Sequence, residues 1–292
     1  MNKNERKIIG VDIGGSHISA GKVVLDERQL LVGSQSRMKV DSHASPEVIL
    51  GSWANFLSPF VNEANKDNIC IGIAMPGPFD YAEGVSYIKE LNKYDALYGV
   101  NVKKELATML GIPQQHILFR NDAEAFLQGE VVYRTGLTDT KVVGITLGTG
   151  LGSAVSDKGI CRDVFRAIRP MKEGIAEDYI SSRWFKHRYQ ELCGEQLESV
   201  EALANGDDPW KDRLFNEFSE HLSIFLDDFT RQESASAVII GGNIARCYDL
   251  FVDKLKTQME NKEVELYQSA LWEDAALLGA AYLWDDKLAK SN

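Results

Sequence analysis

Two aspartates stand where a carboxylate needs a reason. Asp12 interrupts the apolar run Ile8-Ile9-Gly10-Val11-Asp12-Ile13. A carboxylate buried in such a strand costs several kcal/mol unless it is paired or faces open space. The turn Gly14-Gly15-Ser16 follows at once, so Asp12 either accepts hydrogen bonds from that turn or lies near metal-bound phosphates. Asp122 follows Asn121 after the strand-like Ile117 to Phe119, and it opens the helical stretch Ala123-Glu124-Ala125-Phe126-Leu127. An Asn or Asp at that point caps a helix. Strand ends are also where open α/β sheets place ligands. An aspartate there can take the proton of a hydroxyl attacking phosphorus, typically worth about 10²–10⁴ in rate. Local sequence leaves both readings, cap and base, open.

Glycine turns are the second chemical feature. Without a Cβ, the backbone N–H groups of a turn can converge on a phosphate. One such turn is Gly14-Gly15-Ser16, and a second is Gly148-Thr149-Gly150-Leu151-Gly152. The sequence has no GxxxxGK[ST] segment, which excludes a P-loop. The second turn is not GxGxxG and leads into the strand-like Ser153 to Ser156 rather than a helix, which excludes a Rossmann site. What remains is a pair of strand-turn-strand hooks, either phosphate cradles or plain hairpins. They are internally similar: Ile9 to Ser16 can be laid over Val143 to Gly150, each with a glycine at the second position of the strand. Two copies of one hairpin predict two similar lobes facing a cleft.

The elements around these residues alternate between strand and helix, the pattern of an α/β fold. Strands are expected at Ile8 to Ile13, Ile18 to Leu25, Ile69 to Ala74, Ile117 to Phe119, Val142 to Leu147 and Ala237 to Ile240. Helices are expected at Pro46 to Ala64, Val102 to Leu110, Asp122 to Tyr133, around Ile175 to Leu192, at Leu214 to Phe229 and at Asp274 to Trp284. The stripe Leu214, Phe218, Leu222, Phe225, Leu226 and Phe229 has helical spacing and reads as core. The chain of 292 residues carries 32 basic and 43 acidic side chains, a net charge of −11. That length suggests about two domains, and the charge argues against nucleic-acid or anionic-membrane partners. Four cysteines lie far apart without a CxxC, so no zinc knuckle or dithiol site is encoded locally. No signal-like or membrane-spanning run is evident, and a cytoplasmic protein is expected.

Read in order, these segments resemble the ROK family, a branch of the actin/hexokinase-like ATPase fold that includes sugar kinases and repressors. Asp12-Ile13-Gly14-Gly15-Ser16 resembles its first phosphate motif, DIGGTK. Gly72 to Asp80, with Gly77 and then Gly84, resembles the sugar-side GIGxPGPVD…G. Asn121-Asp122-Ala123-Glu124-Ala125 resembles NDANAA, in which the Asp is the catalytic base. Gly148-Thr149-Gly150-Leu151-Gly152 matches the second phosphate motif, and Gly241-Gly242-Asn243-Ile244-Ala245 resembles the adenosine-side GGGIA. The resemblance spans nearly the whole chain. It implies a two-lobed, duplicated ribonuclease H-like fold, with an N-terminal lobe over residues 1–120, a C-terminal lobe over 121–273, and a C-terminal helix of about 274–292 packed back on the first. It implies transfer of the γ-phosphoryl of ATP to a sugar hydroxyl. Asp122 would be the base, and Asn121, Glu177, Gly77 and Asn92 would lie at the sugar. Asp12, Gly14, Gly15, Ser16, Gly148, Thr149, Gly150, Gly242 and Asn243 would lie at the nucleotide. Mg²⁺ would be held mainly by the phosphates, with Asp12 ordering its waters. A homodimer fits the family.

The pattern also breaks. The family's GExGH and its zinc-binding CxCGxxGCxE are replaced by Gly159 to Glu177, where only Gly174-Ile175-Ala176-Glu177 resembles GCxE. No structural zinc is therefore expected. Glu177 reads either as a sugar-hydroxyl acceptor or as a first-turn Glu favoured by the helix dipole. Arg162, Arg166, Arg169 and Lys172 form a basic cluster there, read as either an acceptor for an acidic sugar or a solvated loop. His17 stands where the family often has Lys or Asn. A catalytically weak sugar- and nucleotide-binding regulator is the alternative to a kinase. Seven residues before the first strand leave no room for the repressors' helix-turn-helix, so DNA binding is not expected.

Overall fold

A computed structural model describes residues 6–62, 66–134 and 136–285, and they divide into two compact units. The first comprises residues up to Tyr133 together with those from Glu273 onward, and the second is Arg134–Trp272. Residues 286–292 of the expected C-terminal helix, and Ala64 of the expected 46–64 helix, lie outside the described residues.

The first unit is built on a sheet of β1 (Lys7–Ile13), β2 (His17–Val24), β3 (Gln29–Leu30), β4 (Ser36–Lys39), β5 (Ile69–Met75) and β8 (Ile117–Asn121). Its order is β3-β2-β1-β5-β8, with β4 also on β2. β1 and β2 pair antiparallel as a hairpin, while β1, β5 and β8 run parallel. All seven residues of β5 are buried, as expected of a parallel strand covered on both faces. Strand alternation sends Ile9, Val11 and Ile13 to one face, where they join a core with Trp53 and Leu57 of α1 (Pro46–Asn62) and Leu106 of α2 (Val102–Leu110). Two short strands, β6 (Phe79–Asp80) and β7 (Val85–Ser86), pair with each other between β5 and α2.

Gly10, and with it Asp12, lies on the opposite face. There α3 (Asp122–Tyr133) and α9 (Glu273–Ala281) pack directly on the sheet. Gly10 and Gly72 are register partners on β1 and β5, and a Cβ on either would collide with the α9 carbonyls of Leu277 and Ala280. Gly129 and Gly279 let the two helices cross backbone to backbone. These glycines exist for close packing. The same contact moves the expected division after residue 120 to Tyr133, since α3 cannot leave α9 without opening this Gly/Ala layer.

The second unit repeats the scheme with β9 (Val142–Leu147), β10 (Leu151–Asp157), β11 (Ile160–Asp163), β14 (Ala237–Gly241) and β15 (Glu265–Gln268), in the order β11-β10-β9-β14-β15. β9 and β10 form the antiparallel hairpin, while β9, β14 and β15 run parallel. Between β11 and β14 lie the hairpin β12 (Pro170–Met171) and β13 (Gly174–Ile175), then α4 (Ala176–Tyr179), α5 (Ser182–Cys193), α6 (Val200–Asn205) and α7 (Lys211–Glu233). The expected helix near 175–192 is thus two helices, broken at Ile180-Ser181. The aromatic stripe of α7 is core: Leu214, Phe218, Leu222 and Phe229 are buried against Phe185 of α5 and Phe251 before α8 (Val252–Gln258). No helix among the described residues is long and apolar enough to cross a membrane.

Candidate active site

In the first unit, both singled-out aspartates come to the same end of the sheet. Asp12 is the penultimate residue of β1, and Asp122 opens α3 directly after β8. Asp12 is half-buried, and its carboxyl is pushed up to about 7. Burial is the main cause and the negative charge of Asp122 the next, while Arg37 opposes and Glu273 adds to the rise. Arg37 of β4 is itself ion-paired with Glu273 at the start of α9. Asp122 is exposed.

Asn121 takes the capping role. Its Oδ1 accepts the N–H groups of Ala123 at 2.8 Å and Glu124 at 3.3 Å, satisfying donors that a helix start otherwise leaves unpaired. The Asp122 Oδ1 also accepts from Ala123 N–H, at 2.9 Å. The Asn121 amide donates to Tyr81 Oη at 3.2 Å, and that hydroxyl donates to the Met75 carbonyl at 3.1 Å. A Cβ on Gly77 would stand 3.2 Å from the same oxygen. Tyr81 therefore gathers three sugar-side positions of the sequence reading, the end of β5, Gly77 and Asn121, into one cluster. Asn92 is exposed, on the loop after β7, with a left-handed φ of 57°.

The first glycine turn joins β1 to β2. Gly14 N–H donates to the His17 carbonyl at 2.9 Å, and Ser16 Oγ lies 2.8 Å from His17 Nδ1. Among the described residues the amides of Gly15 and Ser16 carry no hydrogen bond, so two consecutive donors remain for a ligand. The buried Tyr94 hydroxyl donates to the Gly14 carbonyl at 2.6 Å, and its ring packs edge-on against Trp53 at 5.3 Å. Burial and then the Asp12 charge raise this phenol above its ordinary value.

In the second unit, the turn between β9 and β10 is closed by Gly148 N–H donating to the Gly150 carbonyl at 3.0 Å. Ser182 N–H, at the start of α5, donates to the Gly148 carbonyl at 2.8 Å. The amides of Thr149 and Gly150 have no partner among the described residues. Gly148 has an ordinary φ and open space where a Cβ would be, so neither backbone strain nor packing demands glycine there. Gly242 differs: its φ is +83°, and a Cβ would collide with the Leu147 backbone. The Gly241-Gly242-Asn243 loop is thereby pressed against the strand that leads into the turn. Asn243 is exposed beyond it.

Glu177 is built into this turn. Its Oε2 accepts Leu151 N–H at 2.9 Å, and its Oε1 pairs with Arg183. Both oxygens are thus engaged within the unit, through contacts that neither the sugar-acceptor nor the helix-dipole reading supplies.

In the basic segment Arg162, Arg169 and Lys172 are exposed, as in a solvated loop, while Arg166 is buried and paired. Arg166 is 9% exposed, pairs with Glu233 at 2.7 Å, donates to Gln232, and stacks over Phe229 at 5.1 Å from its centroid. Arg162 reaches Glu233 at 2.8 Å and Arg169 reaches Gln232 at 3.0 Å. Three of the four cations thus clasp the C-terminal end of α7, and Lys172 lies over the Tyr179 ring at 5.3 Å. Among the described residues no group of three or more His, Cys, Asp or Glu side chains could hold a metal ion. The carboxylate pair of Asp12 and Asp122 still suits Mg²⁺. That ion takes hard oxygen ligands, keeps several waters, and is bound through one or two carboxylates plus substrate phosphates. The raised Asp12 carboxyl marks a place where a cation would relieve crowded negative charge.

Two units with the same sheet order, each opening on a glycine hairpin, define the actin/hexokinase-like fold. The solved glucokinase of Streptomyces griseus in complex with glucose and AMPPNP matches with a TM-score of 0.74 at 23% identity, covering 95% of this chain and 98% of that one. The model of the ROK family matches residues 8–162, and this chain belongs to that family. Its similar relatives include the glucokinase of Thermotoga maritima, 24% identical over 97% of this chain and 98% of that protein. The beta-glucoside kinase of Listeria monocytogenes serovar 1/2a is 26% identical over 94% and 96%.

Sequence reading missed Tyr81 and Tyr94. Tyr81 carries a weak signal, an aromatic just after the Pro76-Gly77-Pro78 turn. Tyr94 carries none, because its partner Gly14 is 80 residues away.

Proposed function

We propose that this chain transfers the terminal phosphoryl group of ATP to a sugar hydroxyl, with Asp122 as the general base. The observation that carries the assignment is the placement of Asp12 and Asp122 at one end of the sheet, beside the first glycine turn, in a member of the ROK family. Asp122 is the exposed carboxylate of the pair and is free to accept a proton from a sugar hydroxyl. Asn121 and Tyr81 hold the start of α3 still, so the base is aimed before substrate arrives. The unpartnered amides of Gly15 and Ser16, and those of Thr149 and Gly150, are donors for phosphate oxygens. Gly242 and Asn243 border the second turn, where the nucleoside end would lie.

Asp12 would face Mg²⁺ brought in with the nucleotide, and the ion would supply charge neutralisation along the phosphate chain. The protein's own contribution is positioning and oriented donors, which dominate phosphoryl transfer because little covalent chemistry falls to the enzyme. None of the four cysteines is in a disulfide, which suits the reducing cytoplasm in which we place the chain.

The test is a coupled ADP-release screen over hexoses, amino sugars and sugar acids, with Asp122→Asn as control. Sugar-dependent release by the natural chain and its loss in the variant support the assignment. Equal turnover by the two chains refutes Asp122 as base.

A further inference from the structure

We propose that Lys93 is a phosphate-contacting residue of the first glycine turn, placed to bind the terminal phosphoryl group of the nucleotide. The inference rests on the kinase reading above and adds a residue that no motif assigns. Lys93 is half-buried, and its stem lies over the turn: a Cβ on Gly15 would stand 3.5 Å from Lys93 Cδ. The ammonium lies only two bonds beyond that carbon, within reach of whatever the Gly15 and Ser16 amides hold. Among the described residues it has no hydrogen bond or ion pair.

The backbone aims it there at a cost. Asn92 and Tyr94, on either side, both have left-handed φ angles, 57° and 55°, and Glu90 has 60°. For a residue as bulky as tyrosine that conformation is a genuine outlier, and such strain persists only where the surroundings over-determine it. Here they do so through three contacts. Tyr94 Oη donates to Gly14, its N–H donates to the Ser42 carbonyl at 2.8 Å, and its ring packs on Trp53. One of these anchors is the turn itself, so the loop that carries Lys93 is tied directly to the free amides. A second lysine flanks the same turn, since Lys39 of β4 is the register partner of His17 at the start of β2. In a chain of net charge −11 a polyanion needs such a local concentration of positive charge.

The test compares Lys93→Met, which keeps the apolar stem, with Lys93→Arg and with Lys104→Met on exposed α2 as a charge-matched control. Calorimetric titration with ATP, ADP and AMP is read alongside the ADP-release assay. Lys93→Met should lose roughly 10²-fold in kcat/KM for ATP, the scale of one removed transition-state donor. It should bind ATP more weakly while AMP and sugar affinities stay unchanged. Lys93→Arg should recover most of the loss, and Lys104→Met should match the natural chain. Unchanged ATP binding and turnover, an equal shift for AMP, or a loss confined to sugar affinity overturns the proposal. A natural chain that titrates with ATP but releases ADP with no sugar sinks the kinase reading, while the ATP-against-AMP comparison still decides Lys93.

Discussion

The two glycine hairpins share sheet order and strand directions, yet they are equipped for different work. Where β1 carries Asp12, the equivalent place on β9 is Thr146, so only the first hairpin has a carboxylate pushed up to about 7 at its mouth. Its turn is pinned by a phenol, Tyr94, and overlain by a lysine. The second turn is pinned by a carboxylate, Glu177, that is itself neutralised by Arg183, and Gly242 is pressed against the strand leading into it. On the kinase reading proposed above, the two hairpins would both serve as phosphate cradles, with the acid–base and metal-facing groups in the first unit and nucleotide contacts in the second. Both turns leave two consecutive amides without a partner among the described residues, and what separates them is the side chains that lock each one.

The experiments that probe this contrast begin with the most damaging change. Replacing Asp122 by Asn should lower kcat by about 10²–10⁴ with little change in ATP affinity. Thr146→Asn, at the second unit's counterpart of Asp12, should leave kcat within a few-fold of the natural chain, and damage equal to that of Asp122→Asn would break the contrast. Gly10→Ala, which drives a Cβ into the Leu277 carbonyl, should cost about 1–3 kcal/mol or prevent folding. Gly148→Ala, with open space for the methyl, should leave the unfolding midpoint unchanged and instead weaken ATP binding about tenfold, an order-of-magnitude expectation for crowding a phosphate cradle. Thermal unfolding and nucleotide titration read the two effects separately.

Asp12→Asn isolates the pH term. The folded chain holds the Asp12 proton up to about 7, against 3.8 for the ordinary group. Its contribution to stability is therefore complete below pH 3.8 and is lost as pH rises through about 7. The variant should lack that decline and gain stability relative to the natural chain at pH 8. Identical pH profiles of the unfolding midpoint for both chains would show that Asp12 is not raised. Last, Arg166→Met should lower stability by about 1–3 kcal/mol by leaving Glu233 Oε1 and Gln232 Oε1 without their buried donor and should change the KM for the best sugar little. A large rise in KM confined to acidic sugars would restore the reading of this segment as an anion site. Metal analysis of the purified chain should find no stoichiometric zinc.

Much of the fold was legible because its signals are local. The runs Val102 to Leu110, Asp122 to Tyr133 and Val142 to Leu147 have the bounds expected of them, since apolar spacing and adjacent Gly or Asn residues mark them. The helix expected at 175–192 breaks at Ile180-Ser181 because Ser182 N–H is drawn to the Gly148 carbonyl of the second turn. Nothing within the helix announces that. The basic segment could not be read for the same reason: its meaning lies in Gln232 and Glu233, more than 60 residues further on.

Sequence by itself determined the paired glycine hairpins, the acidic character of the chain, the positions of Asp12 and Asp122 at strand and helix boundaries, and the ROK motifs in their order. These follow from residue type and spacing, which the backbone reads within a few positions. Only tertiary structure decided which glycines serve packing and which leave room for a ligand. The two kinds share one residue type and differ only in what stands where a Cβ would be. It also decided that Asn121 caps the helix while Asp122 stays exposed, that Glu177 locks a turn, and that a strained loop carries Lys93 to the first cradle. Each of these depends on contacts between segments far apart in the chain, where burial and charge, rather than local propensity, set the outcome.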